Sequence, residues 1–171
     1  SRGLGDVYKR QPDFHFVPVG NAGNYTAYHR GYKEELAVGA TTRMPRMFGF
    51  QAEGSAPIVT GEIVKNPDTI ASAIRIGNPA SWELAIAAHA DSDGYFGAIS
   101  DEKILEAHRI LSAEVGIFVE PASAISVAGL LERAEAGAIP RDATVVLTVT
   151  GHGLKDPQWA LRTADGGEVQ P

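Results

Sequence analysis

The sequence predicts an α/β fold, a mostly parallel open sheet with helices on both faces. Three observations lead there. Short runs rich in aromatic and β-branched residues, FHFVPV, MFGFQ and ATVVLTVT, have the composition of buried strands. The longer segments between them carry apolar residues at helical spacing. Glycine-containing turns join the two kinds, and the strand-to-helix unit recurs along the chain, as in a parallel sheet covered by crossover helices.

Taken in order, Phe14 to Val19 is the first predicted strand, ending in a glycine-asparagine cluster. Tyr25 to Val38 follows as a helix, with Tyr28, Tyr32 and Leu36 four residues apart and Gly39 just past its end. Met47 to Gln51 is a second strand, and Pro57 opens a short helix. From Pro79 to Ala90 a helix is expected with Trp82, Ala85, Ile86 and His89 on one face. Tyr95 to Ile99 is a weaker strand. Ser100 is the expected N-cap of the best helix, with Asp101 and Glu102 in its positive first turn and a stripe of Ile104, Leu105, His108, Leu111 and Val115. Ile117 to Val119 predicts a short strand, Ala122 to Ala136 a helix closed by Gly137, and Ala143 to Thr150 the clearest strand of all. The tail from Thr163 reads as a loop or frayed end. Residues 1–12, glycine-rich and without periodicity, read as a scar of cloning or sequencing outside the fold.

At 171 residues and 44% hydrophobic, the chain can bury one core, yet it is short for an enzyme that encloses a cofactor between two lobes. A net charge of -6 with no basic run argues against nucleic acid or an anionic membrane as partner. No stretch approaches the roughly 18 apolar residues of a membrane span. The absence of cysteine excludes disulfides and thiolate metal sites and fits a reducing compartment, so the cytoplasm is expected. His15, His29, His89, His108 and His152 lack metal-ligand spacing, so no metal is expected, and His108 on its apolar stripe reads as a core histidine.

Between the first strand and first helix lies Gly20-Asn21-Ala22-Gly23-Asn24. Here several main-chain N–H groups have no helical partner and the helix dipole favours an anion, so the loop suits a phosphate. Gly20 and Gly23 permit close approach of the backbone, and Asn21 and Asn24 can donate side-chain amide hydrogens. It is neither a Gly-Lys-Ser/Thr loop nor a G-x-G-x-x-G turn. Composition alone leaves a phosphate cradle and a mere tight turn equally matched.

Five motifs in order, VPVGNAGN, QAEGSAP, TIASAIRIGNPASW, EPASAISVAGLL and LTVTGHGLKDP, resemble the threonine synthases over roughly residues 14–159. The resemblance implies an incomplete large lobe of the fold-type II pyridoxal-phosphate (PLP) fold, like the tryptophan synthase β chain. Residues 13–171 would then be the C-terminal part of the PLP-binding domain. It further implies that Gly20, Asn21, Ala22, Gly23 and Asn24 hold the 5'-phosphate of PLP, and that the Thr150 hydroxyl meets the pyridine nitrogen. A neutral hydroxyl there does not force ring protonation, which suits eliminations. Arg75, Asn78 and Ser81 in AIRIGNPAS are candidates to face a phosphorylated substrate, with a surface or interlobe salt bridge as an equal alternative for Arg75. Glu120 is expected to serve structure rather than catalysis, and His152 to shape the pocket.

The implied reaction of the parent enzyme takes O-phospho-L-homoserine and water to L-threonine and phosphate by γ-elimination and β-addition. The resemblance places the Schiff-base lysine well before the glycine loop, and Lys33, Lys65, Lys103 and Lys155 stand in other contexts. The chain is therefore expected to contain no catalytic residue of its own and to be inactive alone, while the parent is expected to be a homodimer. Two other readings stand beside this one: a threonine or serine dehydratase of the same fold, and a non-catalytic phospho-ligand binding module.

Overall fold

A computed structural model describes residues 11–159. Its centre is a four-stranded sheet in the order β3-β2-β1-β4, with β1 Phe14–Pro18, β2 Arg46–Ala52, β3 Tyr95–Ile99 and β4 Val145–Leu147. Each neighbouring pair is parallel, Phe16 facing Phe48 on one side and Leu147 on the other. The connections run through α1 Gly23–Ala37, α2 Pro57–Thr60, α3 Trp82–Asp91, α4 Asp101–Ile110 and α5 Pro121–Glu135.

The two-residue period of the strands sorts side chains onto the two faces. Phe14, Phe16, Phe48, Phe50 and Ile99 enter one apolar cluster with Ile104 of α4 and Ile125 of α5. Val17 and Met47 enter the other, with Tyr25 of α1 and Ala85 and Ala88 of α3. Helices thus cover both faces, as the sequence predicts. Gly129 is what lets α5 settle onto β2: a Cβ there would stand 2.6 Å from the Phe50 ring. α5 opens with Pro121 in its first turn, and α4 opens with Ser100, whose hydroxyl accepts the Lys103 N–H.

The winding direction reverses once. The chain steps from β1 to β2 to β3, then crosses back to place β4 on the far side of β1. In open α/β sheets such a reversal separates the loops leaving two adjacent strands, and the crevice between them at the carboxyl ends is where ligands bind.

Four expectations need correction. Ile117 to Val119 forms no strand; Val119 makes only an isolated antiparallel bridge to His152, because the main chain here pairs with the returning segment after β4. β4 is three residues long and not the dominant strand, since β1 is its one neighbour among the described residues and their pairing covers Phe14 to Phe16. The stripe on α4 stops at Leu111, where the helix widens into a π turn, Leu111–Val115, that leaves Val115 57% exposed. On α3 the small residues Ala85 and Ala88 face inward and Ile86 is exposed, because α1 packs closely against them. The expectation for residues 1–12 lies outside the described residues except at Gln11 and Pro12; Gln11 accepts hydrogen bonds from Thr42 and Arg43. The tail from Thr163 also lies outside the described residues.

Candidate cofactor site

β1 and β4 run side by side, so the loops that follow them emerge at the same end of the sheet. The Thr148 N–H still bonds to Phe16 O, keeping the two strands in register up to that end. Gly20 to Asn24 leave β1 toward α1, while Thr150 and Gly151 leave β4 toward the start of α5.

The glycine loop is shaped by its neighbours. A Cβ on Gly20 would stand 3.0 Å from Ile76 Cδ1 and 3.1 Å from Ile74 Cα, so only glycine admits that segment without displacement. Ala22, just before α1, takes a left-handed φ of 62°, which costs a non-glycine residue about 1 kcal/mol. Bonds around it hold the strain: Asn24 Nδ2 donates to Pro18 O at 2.9 Å, and Asn21 O and Oδ1 accept the N–H groups of Ser81 and Ala80. Asn24 therefore differs from the expected side-chain donor to phosphate. Its amide reaches back to Pro18 and its Oδ1 takes the Tyr25 N–H, so the side chain braces the loop and leaves its main-chain N–H for a ligand.

The N–H groups of Gly20, Asn21, Ala22, Gly23 and Asn24 donate to no acceptor among the described residues. α1 carries no acidic residue in its first turn to answer its dipole. Gly23 is exposed, and no heavy atom lies within 4 Å of where its Cβ would stand. Unpaired donors, an unneutralised dipole and open space in front of them fit a phosphate dianion.

The β4 corner is built differently. Ser123, in the first turns of α5 and fully buried, accepts the N–H groups of Thr150 at 3.0 Å and Gly151 at 2.7 Å, and its Oγ lies 2.8 Å from Thr150 Oγ1. Ser126, one turn on, donates to Thr148 O. Sequence reasoning missed both serines; the available signal was two hydroxyls on the inward face of an otherwise apolar helix. Thr150 itself is exposed. Glu120 is buried beneath Gly151, where a Cβ would stand 1.9 Å from Glu120 Oε1, and Lys155 Nζ approaches its carboxylate at 3.7 Å. His152 accepts the Leu154 N–H on Nδ1 and meets Phe118 edge-on, so it shapes the turn.

The segment from Thr69 to Ser81 crosses both loops: its residues 73–76 press on Gly20, and Ser72 donates to Asp156 beyond the Thr150 corner at 2.6 Å. Arg75 and Asn78 are exposed on it, and no acidic side chain among the described residues pairs with Arg75. Ser81 uses its main chain on Asn21.

A third missed residue is His15. Its Nε2 lies 2.7 Å from Thr148 Oγ1 and its Nδ1 3.2 Å from the Tyr32 hydroxyl, linking α1 to the end of β4. Burial pushes its pKa down to about 4, so the ring is neutral. His108 is held low for the same reason and donates from Nε2 to Val119 O, leaving its buried Nδ1 without a partner. Lys33 pairs with Asp91 and Lys103 with Glu132, both away from these loops. Among the described residues no cluster could hold a metal ion, and no helix is long and apolar enough to cross a membrane.

A family model described as pyridoxal-phosphate dependent enzyme matches residues 4–151. Curated relatives named threonine synthase include that of Mycobacterium tuberculosis H37Rv, 55% identical over 157 residues, covering 92% of this chain and 44% of the relative. That of Synechocystis is 52% identical over 165 residues, covering 96% and 42%. That of Methanocaldococcus jannaschii is 49% identical over 162 residues, covering 90% and 40%. The chain thus spans less than half the length of these relatives. Among solved structures, a T.th. threonine deaminase superposes with a TM-score of 0.63 at 24% identity, over 82% of this chain and 46% of that one. A fungal L-serine ammonia-lyase from Rhizomucor miehei superposes with a TM-score of 0.71 at 20% identity, over 92% and 52%. These two likenesses establish the fold.

Proposed function

The chain belongs to the pyridoxal-phosphate dependent enzyme family, and on that premise we propose that it is the C-terminal part of the PLP-binding domain of a threonine synthase. The observation that carries the reading is the pair of loops at the switch point: unpaired N–H groups after β1 and a hydroxyl after β4, at the carboxyl ends of adjacent strands. The names of the relatives, at about half identity, supply the substrate class.

In this reading the main-chain N–H groups of Gly20, Asn21, Ala22, Gly23 and Asn24 grip the cofactor's phosphate, and Thr150 offers its hydroxyl to the ring nitrogen. When bound, PLP supplies an electron sink for carbanions formed beside the amino group of the substrate. Arg75, exposed beside the glycine loop and without a partner carboxylate among the described residues, binds the phosphate of O-phospho-L-homoserine, and Asn78 assists it. The enzyme converts that substrate and water to L-threonine and phosphate. None of Lys33, Lys65, Lys103 and Lys155 performs the covalent step, and Lys9 falls in the segment whose sequence reads as a scar, so the 171-residue chain by itself is inactive. A cytoplasmic homodimer goes with the same reading.

The test is an assay of the intact enzyme with O-phospho-L-homoserine, following phosphate and threonine, beside an assay with threonine and serine, following ammonia. Phosphate and threonine in equal amounts support the reading; ammonia from the second pair alone transfers the assignment to a dehydratase. For the chain alone, added PLP should give phosphate-competable binding without turnover.

A further inference from the structure

The segment that carries Arg75 and Asn78 is seated by its neighbours at three places, and two of them belong to the glycine loop. Bare Gly20 is the first: a Cβ there would stand 3.1 Å from Ile74 Cα and 3.3 Å from Ala73 O, the residues just before Arg75. Val64 is the second. Its N–H donates to Gly77 O at 2.9 Å, and a Cβ on Gly77 would stand 1.8 Å from Val64 O. Asn21 is the third, its main-chain O accepting the Ser81 N–H at 3.1 Å and its Oδ1 the Ala80 N–H at 3.3 Å.

Within the segment so held, Ile74 and Pro79 are buried. Arg75 and Asn78 are exposed, and their side chains make no hydrogen bond among the described residues. The glycine loop thus divides its polar groups. Its N–H groups stay unpaired among the described residues and suit an anion, while both oxygens of Asn21 are taken by the Ala80–Ser81 end of the neighbouring segment. An arginine reaches its ligand on a long stem, so where its guanidinium can go depends on where its main chain is held. A main chain fixed in the folded state spares the ligand the ordering cost that a loose one would impose at each binding event.

We infer that Asn21 is a positioning residue for the substrate's phosphate: its two oxygens tie the segment of Arg75 and Asn78 to the cofactor's phosphate loop, so that this loop also sets the preference for a phosphorylated substrate. The inference rests on the proposed roles of the loop and of Arg75. It goes beyond them by giving the Asn21 side chain a task directed at the substrate, performed through Ala80 and Ser81 and without contact to the substrate itself.

The test uses the intact enzyme saturated with PLP and two ligands that lack a leaving group. One is the analogue of O-phospho-L-homoserine in which a methylene replaces the ester oxygen; the other is L-norvaline, the same carbon chain without the phosphonate. Both affinities are read from the absorbance of the bound cofactor, and their ratio measures the preference for the phosphonate. Asn21→Ala should lower that ratio about tenfold by weakening the phosphonate ligand, with L-norvaline changed by less than about twofold. It should also speed amide exchange at Ala80 and Ser81, while Phe16 and Phe48 in the middle of the sheet keep their protection. Asn21→Ser, whose hydroxyl ends short of the Ala80 N–H, should act in the same direction and replaces the alanine variant if that one does not fold. An unchanged ratio overturns the inference, and so does an equal weakening of both ligands, which would assign the Asn21 side chain to the cofactor alone. Arg75→Met separates this from the parent reading: it should lower the ratio at least as far, and an unchanged ratio there means that Arg75 does not meet the phosphate and that the placement itself fails.

Discussion

The loop after β1 and the corner after β4 lie side by side at one end of the sheet, yet they are made of opposite materials. The first presents main-chain N–H groups, braced partly by near neighbours, as where Asn24 bonds to Pro18, and partly by the distant segment that presses on Gly20 and bonds to Asn21. The second presents a side-chain hydroxyl, held by Ser123 on α5, 27 positions away along the chain. A backbone anion site can be written locally, because any strand-to-helix turn leaves donors unpaired. A side-chain hydroxyl held at a corner needs a buried partner, and only packing between elements supplies one.

The largest expected effect breaks the second region. Gly151→Ala places a methyl group 1.9 Å from Glu120 Oε1, whose side chain is buried and has little room to move. Denaturant unfolding should show a loss of about 2 to 3 kcal/mol. A wild-type midpoint would mean that the corner is soft and that Ser123 does not hold it rigidly.

Next comes the link between the regions. His15 joins α1 to β4 and stays neutral with a pKa of about 4, below the 6.5 of an exposed histidine. Between those values the unfolded chain binds the proton and the folded chain does not, so stability is intact above pH 6.5 and falls as pH drops toward 4. The contribution is about 3 kcal/mol across that window. His15→Gln should flatten this part of the profile, leaving the like-signed share of His108, whose pKa is also lowered by burial. An unchanged slope in the variant would remove His15 as its source.

Two smaller changes sharpen the account of the first region. Asn24→Ala removes the brace to Pro18 and should cost about 1 kcal/mol in thermal unfolding, with weaker phosphate binding as Ala22 relaxes from its left-handed conformation. Gly23→Ala should do the reverse for stability. Nothing lies within 4 Å of the new methyl, and alanine favours the helix, so stability should rise by up to about 0.5 kcal/mol while affinity for inorganic phosphate falls. Calorimetry with phosphate checks it, and a loss of stability without loss of affinity would show that the space is filled by protein.

Most of the strands and helices were legible because each announces itself over five to fifteen neighbouring residues: the FHFVPV run and the helix after GNAGN are examples. The departures have one kind of cause. Val149 and Thr150 have strand propensity, but strand length depends on how many neighbours the sheet provides, and β4 has β1 on one side. Val115 sits at the right spacing for a buried stripe, but a π turn rotates it outward. Ile86 loses its inward place because α1 comes close enough that only alanines fit.

The sequence by itself determined the parallel α/β plan, the glycine loop and its kinship, because periodicity, turn chemistry and ordered motifs are all local in the chain. Only the tertiary structure decided which groups in that plan are spent and which remain free. It turned the Asn24 amide inward, bonded His15 to Thr148 just past β4, and set Ser123 under Thr150. Hydrogen bonds saturate, so what a donor can still do for a ligand depends on every distant partner already holding it.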